Sequence, residues 1–161
     1  MKMEKISHIC AFTFKEKLYA QLTFNAGILI AAYGVFLKSS LLGLLYLLCA
    51  YLGILLLIRY TVCPRCPHLI IAGDCVQLHP FLMKKIISPR RKGLLTMSEK
   101  ILFVSVLYGI FILPLFWIAS NTMMLILFLI FYGGHLLGLY WHFCPNCRNK
   151  QCIQNRNTIT F

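Results

Sequence analysis

Four long apolar runs divide the chain, and none of them contains an Asp, Glu, Lys or Arg residue. A helix needs about 20 mostly apolar residues, at about 1.5 Å each, to cross the hydrocarbon core of a bilayer. Backbone polar groups cannot remain unpaired in lipid, so runs of this length are predicted to be transmembrane helices rather than strands. The four runs cover residues 18–37, 41–58, 101–119 and 122–141.

Two of the connections between these runs, at 38–40 and 120–122, are very short. Connections of this length allow only a tight turn between antiparallel helices. We therefore predict an all-α integral membrane protein whose four transmembrane helices form two tandem hairpins. The predicted segments are an N-terminal segment 1–17, a first hairpin 18–58, a connection 59–100, a second hairpin 101–141 and a tail 142–161.

Composition supports a membrane protein and excludes an ordinary soluble domain. Hydrophobic residues make up 60% of the chain and charged residues only 12%, about half the charged fraction that is usual in soluble domains. The four carboxylates, Glu4, Glu16, Asp74 and Glu99, all lie outside the apolar runs. General bases are therefore scarce and a hydrolase is not expected. If the protein is an enzyme, we expect an oxidoreductase.

The net charge of +12 is distributed unevenly around the runs. Lys38 lies in the first short turn, whereas the other fifteen of the 16 Lys and Arg residues lie in the two terminal segments and the 59–100 connection. Basic residues accumulate on the cytoplasmic side of membrane proteins. We therefore expect an inner or plasma membrane protein with both termini and the long connection in the cytoplasm.

The connection also contains a basic segment mixed with apolar residues. Cations beside a membrane contribute about 1 kcal/mol each through attraction to anionic lipid, and the flanking helices hold this segment near the surface. We expect it to contact the bilayer and anionic headgroups rather than nucleic acid. The lipid-facing basic residues are predicted to be Lys84, Lys85, Arg90, Arg91 and Lys92.

The same predicted face carries two copies of a Cys-Pro-x-Cys motif. One pair, Cys63 and Cys66, follows the second apolar run, and the other, Cys144 and Cys147, follows the fourth, 81 positions later. Their matching places indicate a tandem repeat with a cysteine-rich cap on the cytosolic side. Two thiolates separated by two residues can bind one ion, and four thiolates complete the tetrahedral shell of a structural zinc site.

Several arrangements of these ligands remain open. We favour one shared zinc site formed by the four motif cysteines, because structural disulfides are not expected in a reducing cytosol. Each half could instead form its own site, or one cluster could leave some cysteines unused, and iron or an iron–sulfur cluster is the alternative cofactor. Additional candidate ligands are Cys75, Cys152, His68, His79 and His142.

Two residues inside the apolar runs are further candidates. His135 lies in the fourth run, where it could hydrogen-bond a quinone or relay a proton, or simply bond a neighbouring helix, with Asn25 and Ser105 as candidate partners. Cys49 lies in the second run and is expected to be a small buried residue, or a step in the path of a soft metal ion. Gly134 and Gly138 form a GxxxG motif, which is typical of close helix packing.

The architecture resembles two groups of membrane proteins. The cysteine–proline motifs at 63–67 and 144–147 resemble those of four-helix electron-transfer subunits of periplasmic nitrate and nitrous-oxide reductase systems, which have three residues between the cysteines and further ferredoxin-type cysteines. Bacterial disulfide-generating enzymes and vitamin K epoxide reductases are also similar four-helix bundles with CxxC pairs, but their active pairs face the oxidising side.

Three functions follow from these residues. The favoured one is a zinc-fastened scaffold that presents a basic surface to lipid or to a membrane or cytosolic protein partner. The alternative is an electron-transfer or thiol redox protein, iron–sulfur or dithiol, linked to quinone near His135. The third is transport or handling of a soft metal ion, since thiolates bind such ions well.

Overall fold

The computed structural model of the protein describes residues 12–61, 63–65 and 95–147, and every regular element in these ranges is helical. Each of the four long helices has the length and apolar composition needed to cross a membrane. This agrees with the predicted all-α membrane protein. The helices are α1 (Phe14–Phe36), α2 (Ser40–Tyr60), α3 (Met97–Ile118) and α4 (Thr122–Asn146).

Helices α1 and α3 begin with the same capping box. The amide of Thr13 donates to Glu16 Oε2 at 2.7 Å, and the amide of Thr96 donates to Glu99 Oε2 at 2.8 Å. In return, each threonine hydroxyl accepts from the glutamate amide at 3.4 Å. A capping box satisfies two backbone donors at a helix start. Both helices therefore begin four residues before the apolar runs do.

Short turns connect α1 to α2 and α3 to α4. In the first, the amides of Leu37 and Ser39 donate to carbonyls of the last turn of α1, each at 3.0 Å. In the second, the side chain of Asn121 accepts from the amide of Met124 at 3.2 Å and caps the start of α4. These bonds satisfy helix-end groups that would otherwise be unpaired in an apolar environment.

Helix α4 is irregular along its length. Two π-helical stretches, Leu129–Gly133 and Leu139–Phe143, alternate with α-helical segments. The first lies just before His135 and the second contains His142. Such π segments are rare and often lie at functional sites, and nothing in the apolar pattern predicts them.

Helix α1 lies at the centre of the bundle and packs against the other three helices. Gly27 contacts Tyr132 and Glu16 contacts His142, so α1 runs antiparallel to α4. Gly34 contacts Ile118 near the ends of both helices, so α1 runs parallel to α3. The start of α1 therefore lies at the same end as the last turns of α2 and α4. We call this end of the bundle the cysteine end, because both Cys-Pro-x-Cys motifs begin there.

The outer surface of the bundle is strongly apolar. Leu41 is 73% exposed and Phe116 81% exposed, and many other large apolar side chains also point outward on all four helices. In water, such continuous apolar surface would be unfavourable. In a bilayer, the same side chains contact lipid.

Candidate functional site

The first Cys-Pro-x-Cys motif begins two residues after the C-cap of α2. That C-cap, Thr61, is buried and its hydroxyl donates to the carbonyl of Leu57 at 2.6 Å. Cys63, Pro64 and Arg65 then form one 3₁₀ turn. Cys63 is half-buried and Pro64 is buried, so the motif begins against the bundle rather than on an extended tail.

The second motif forms the last turn of α4. Cys144 is buried, Cys147 is half-buried, and the amide of Cys147 donates to the carbonyl of Cys144 at 3.2 Å. At Cys147 the backbone becomes extended, with ψ of 131°, so the helix ends there. The side-chain amide of Asn146 donates to the carbonyl of His142 at 2.9 Å and satisfies one of the orphan groups of the helix end.

The described motif cysteines, Cys63, Cys144 and Cys147, all lie at the cysteine end. In residues 12–61, 63–65 and 95–147, no three His, Cys, Asp or Glu side chains approach closely enough to form a metal site. The other ligand and lipid-contact candidates fall outside the described residues. These are Cys66, Cys75, Cys152, His68, His79, Lys84, Lys85, Arg90, Arg91 and Lys92.

His142, proposed from the sequence as an additional ligand, contacts a carboxylate in the structure. Its Nε2 lies 2.6 Å from Oε1 of Glu16, the same glutamate that caps α1. The pair connects the first turn of α1 to the second π segment of α4 on the partly exposed surface of the cysteine end. Because Glu16 belongs to a capping box, one carboxylate fixes both the helix start and this interhelical contact.

His135 is only 1% exposed and lies between α1 and α4. Its Nδ1 is 3.3 Å from the hydroxyl of Thr23, which also donates to the carbonyl of Tyr19 at 2.7 Å. The expected partners were wrong. Asn25 bonds Gln21 and Tyr51 within the α1–α2 contact, and Ser105 lies on α3.

The glycines of the fourth run accommodate a side chain rather than a helix backbone. Tyr19 lies against Gly134 and Gly138, and its hydroxyl donates to the carbonyl of Gly134 at 3.2 Å. Helices α1 and α4 also approach closely at Gly27, where an added Cβ would lie 2.7 Å from the Cβ of Tyr132. Small residues thus permit an interface in which aromatic rings fill the space.

Tyr132 is fully buried at the centre of this interface. Its ring stacks on Phe128 at 5.5 Å and on Phe111 at 5.8 Å between centroids. Among the described residues, its hydroxyl has no hydrogen-bond partner. A buried hydroxyl without a partner reduces stability, so the ring's packing must compensate for it.

Cys49 is exposed on α2, and the expectation that it would be buried is wrong. It faces a groove of about 350 Å³ between α2 and α3, which Ser105 lines from the opposite side. The two helices separate at this level, so the small side chain remains uncovered. The apolar run predicts a helix at Cys49, but it does not predict that α2 and α3 are separated at this level.

Comparison of the chain with protein-family models, curated proteins and solved structures found no match.

Proposed function

We propose that the protein is a membrane scaffold whose two helical hairpins are fastened at the cysteine end by one zinc ion. The ligands are Cys63, Cys66, Cys144 and Cys147. Four thiolates at about 2.3 Å fill a tetrahedral shell and leave no position for a substrate, so the ion stabilises the structure rather than catalysing a reaction.

The observation that carries the proposal is the local geometry of the two motifs. Both begin in tight turns at the same end of the bundle, immediately after α2 and at the end of α4. In the second motif, the hydrogen bond from the Cys147 amide to the Cys144 carbonyl closes a turn across the pair, and two cysteines at this spacing are typical zinc ligands.

Similarity between the two halves of the chain supports a shared site. The Cys-Pro-x-Cys motifs are 81 positions apart, and the capping boxes that begin at Thr13 and Thr96 are 83 positions apart. Each half thus starts with a threonine–glutamate box and ends with a cysteine pair. A tandem repeat of two hairpins gives this order, with an axis along the membrane normal.

The charge distribution supports a cytoplasmic position for the cysteine end. Of the 16 Lys and Arg residues, only Lys38 belongs to the opposite end of the predicted topology. A reducing cytosol keeps the motif thiols available as metal ligands. The basic connection then meets anionic lipid, or a protein partner, at the same surface.

Metal analysis of the purified protein tests the proposal. Protein isolated in mild detergent without chelator is expected to contain one zinc per chain. The Cys63→Ser and Cys144→Ser variants should each lose the zinc, whereas Cys49→Ser, a matched thiol deletion outside the motifs, should retain it.

Two ions per chain would indicate a separate site in each half. A brown protein absorbing near about 400 nm would support an iron–sulfur carrier instead. Less than about a tenth of an equivalent of any metal would refute metal binding altogether.

A further inference from the structure

The groove between α2 and α3 has a definite length and a definite end. It extends from Leu42, near the start of α2, to Gly53, or about 16 Å at 1.5 Å per residue. At Gly53 it closes, since a Cβ built there would lie 2.9 Å from a methyl group of Val106. The hydrocarbon region of one leaflet is about 15 Å deep, half of about 30 Å. The groove therefore matches the depth of the leaflet opposite the cysteine end.

Its volume limits what can occupy it. At about 350 Å³ the groove lies at the lower end of the range of ligand pockets, about 300–1,000 Å³, so it suits one slender ligand. A helix with side chains is about 10–12 Å across and takes up roughly 1,200 Å³ over about 16 Å, so a helix of a second copy is too large. An alkyl chain is about 4–5 Å across, because nonbonded carbons approach to about 3.5–4.0 Å.

The lining of the groove is also suited to hydrocarbon. Its floor consists of buried residues such as Ala50 and Ile110, and its rim of exposed leucines such as Leu45 and Leu113. Trp117 lines the end away from Gly53, near the predicted membrane boundary, where indole rings commonly meet headgroups. Ligand pockets of membrane and soluble bundles likewise lie between helices and are mostly apolar.

We infer that this groove binds one acyl chain of a membrane phospholipid from the leaflet opposite the cysteine end. The terminal methyl lies against Gly53 and Val106, and the headgroup lies beyond Leu42 and Trp117. The bound chain fills the gap that α2 and α3 leave between them, and it covers the thiol of Cys49.

Photo-crosslinking in nanodiscs tests this inference with a phospholipid that carries a diazirine near the end of one acyl chain. Label is expected to concentrate on 49–53 and 105–109, about tenfold above the equally lipid-facing Leu129 and Ile130 of α4. Moving the diazirine close to the headgroup should shift the label toward Leu42 and Trp117. This shift is measured in the unchanged protein, so it does not depend on any variant folding.

A matched pair of variants sharpens the test. Gly109 and Gly133 both have open space around an added Cβ, but only Gly109 lines the groove. Gly109→Leu should lower the labelling of 49–53 about tenfold, whereas Gly133→Leu should leave it unchanged. Even labelling of all outward-facing residues, label at the same positions for both diazirine placements, or crosslinks between two copies through α2 and α3 would each overturn the inference.

Discussion

The α1–α4 interface is closed, whereas the α2–α3 interface is partly open, although the proposed repeat makes the two interfaces equivalent. Between α1 and α4, aromatic rings fill the space beside the glycines, and Thr23 and His135 meet at 3.3 Å. Between α2 and α3, small residues face each other around a groove of about 350 Å³. Helices in lipid gain little from hydrophobic burial and depend on packing and interhelical hydrogen bonds. The first interface has both. The second has the hydrogen bond from Tyr46 to the Ile110 carbonyl, at 2.9 Å, but its packing is interrupted by the groove.

The largest expected difference in stability comes from replacing one glycine in each of the two interfaces with leucine. Gly27→Leu places side-chain atoms where the Cβ and Cα of Tyr132 already lie, so we expect a loss of about 3 kcal/mol in the free energy of unfolding. Gly109→Leu enters open space and should change it by less than about 1 kcal/mol. Denaturant titration in mixed micelles measures both. Equal losses in the two variants would show that the interfaces are packed alike.

Removing a hydroxyl from each interface should give a smaller difference. Thr23→Val removes the hydroxyl that lies 3.3 Å from Nδ1 of His135 and should cost about 1 kcal/mol, in the range measured for hydrogen bonds in membranes. Ser105 makes no hydrogen bond within the described part of the chain, so Ser105→Ala should be nearly neutral. The same unfolding measurement applies. A larger loss from Ser105→Ala than from Thr23→Val would contradict the comparison.

Loss of the hydroxyl should affect the free energy of unfolding differently at two buried tyrosines. Tyr46 donates to the carbonyl of Ile110 at 2.9 Å, so Tyr46→Phe should cost about 0.6 kcal/mol. The Tyr132 hydroxyl has no partner among the described residues, so Tyr132→Phe should be neutral or stabilising by up to about 1 kcal/mol. A clear destabilisation by Tyr132→Phe would reveal a partner, such as a buried water, at the centre of the bundle.

The smallest effect is expected at the exposed end of the α1–α4 interface. Glu16→Gln retains an acceptor for the capping box but removes the charge that faces His142. Exposed ion pairs contribute little and are screened by salt. The variant should therefore be slightly less stable at low ionic strength and indistinguishable from the wild type at high salt. A deficit that persists at high salt would mean that the charge itself does not cause the effect.

The sequence predicted the four spanning helices well, because an uncharged apolar run of that length has few alternatives in lipid. It missed the first turns of α1 and α3, since Glu16 and Glu99 were counted as polar flanks although they cap the helices. It singled out His135, which lies buried between α1 and α4, but not its neighbour Thr23, because which helix faces point toward each other depends on tertiary packing. The misplacement of Cys49 has the same cause.

The candidate metal ligands were identified by spacing alone, and the structure adds the turns in which Cys63, Cys144 and Cys147 lie. These three thiols do not form a metal-binding group within the described ranges, and Cys66 lies outside them. A local motif predicts a local turn, whereas convergence of two motifs from distant parts of the chain is a property of the assembled bundle.

X-ray absorption spectroscopy at the zinc edge distinguishes one site shared by the two halves from a separate site in each half. For a shared site we expect four sulfur ligands at about 2.3 Å and one zinc per chain. Cys66→Ser and Cys147→Ser, one from each half, should both change the coordination of that single ion. A first shell of two or three sulfurs with nitrogen ligands, unaffected by substitution in one of the halves, would contradict it.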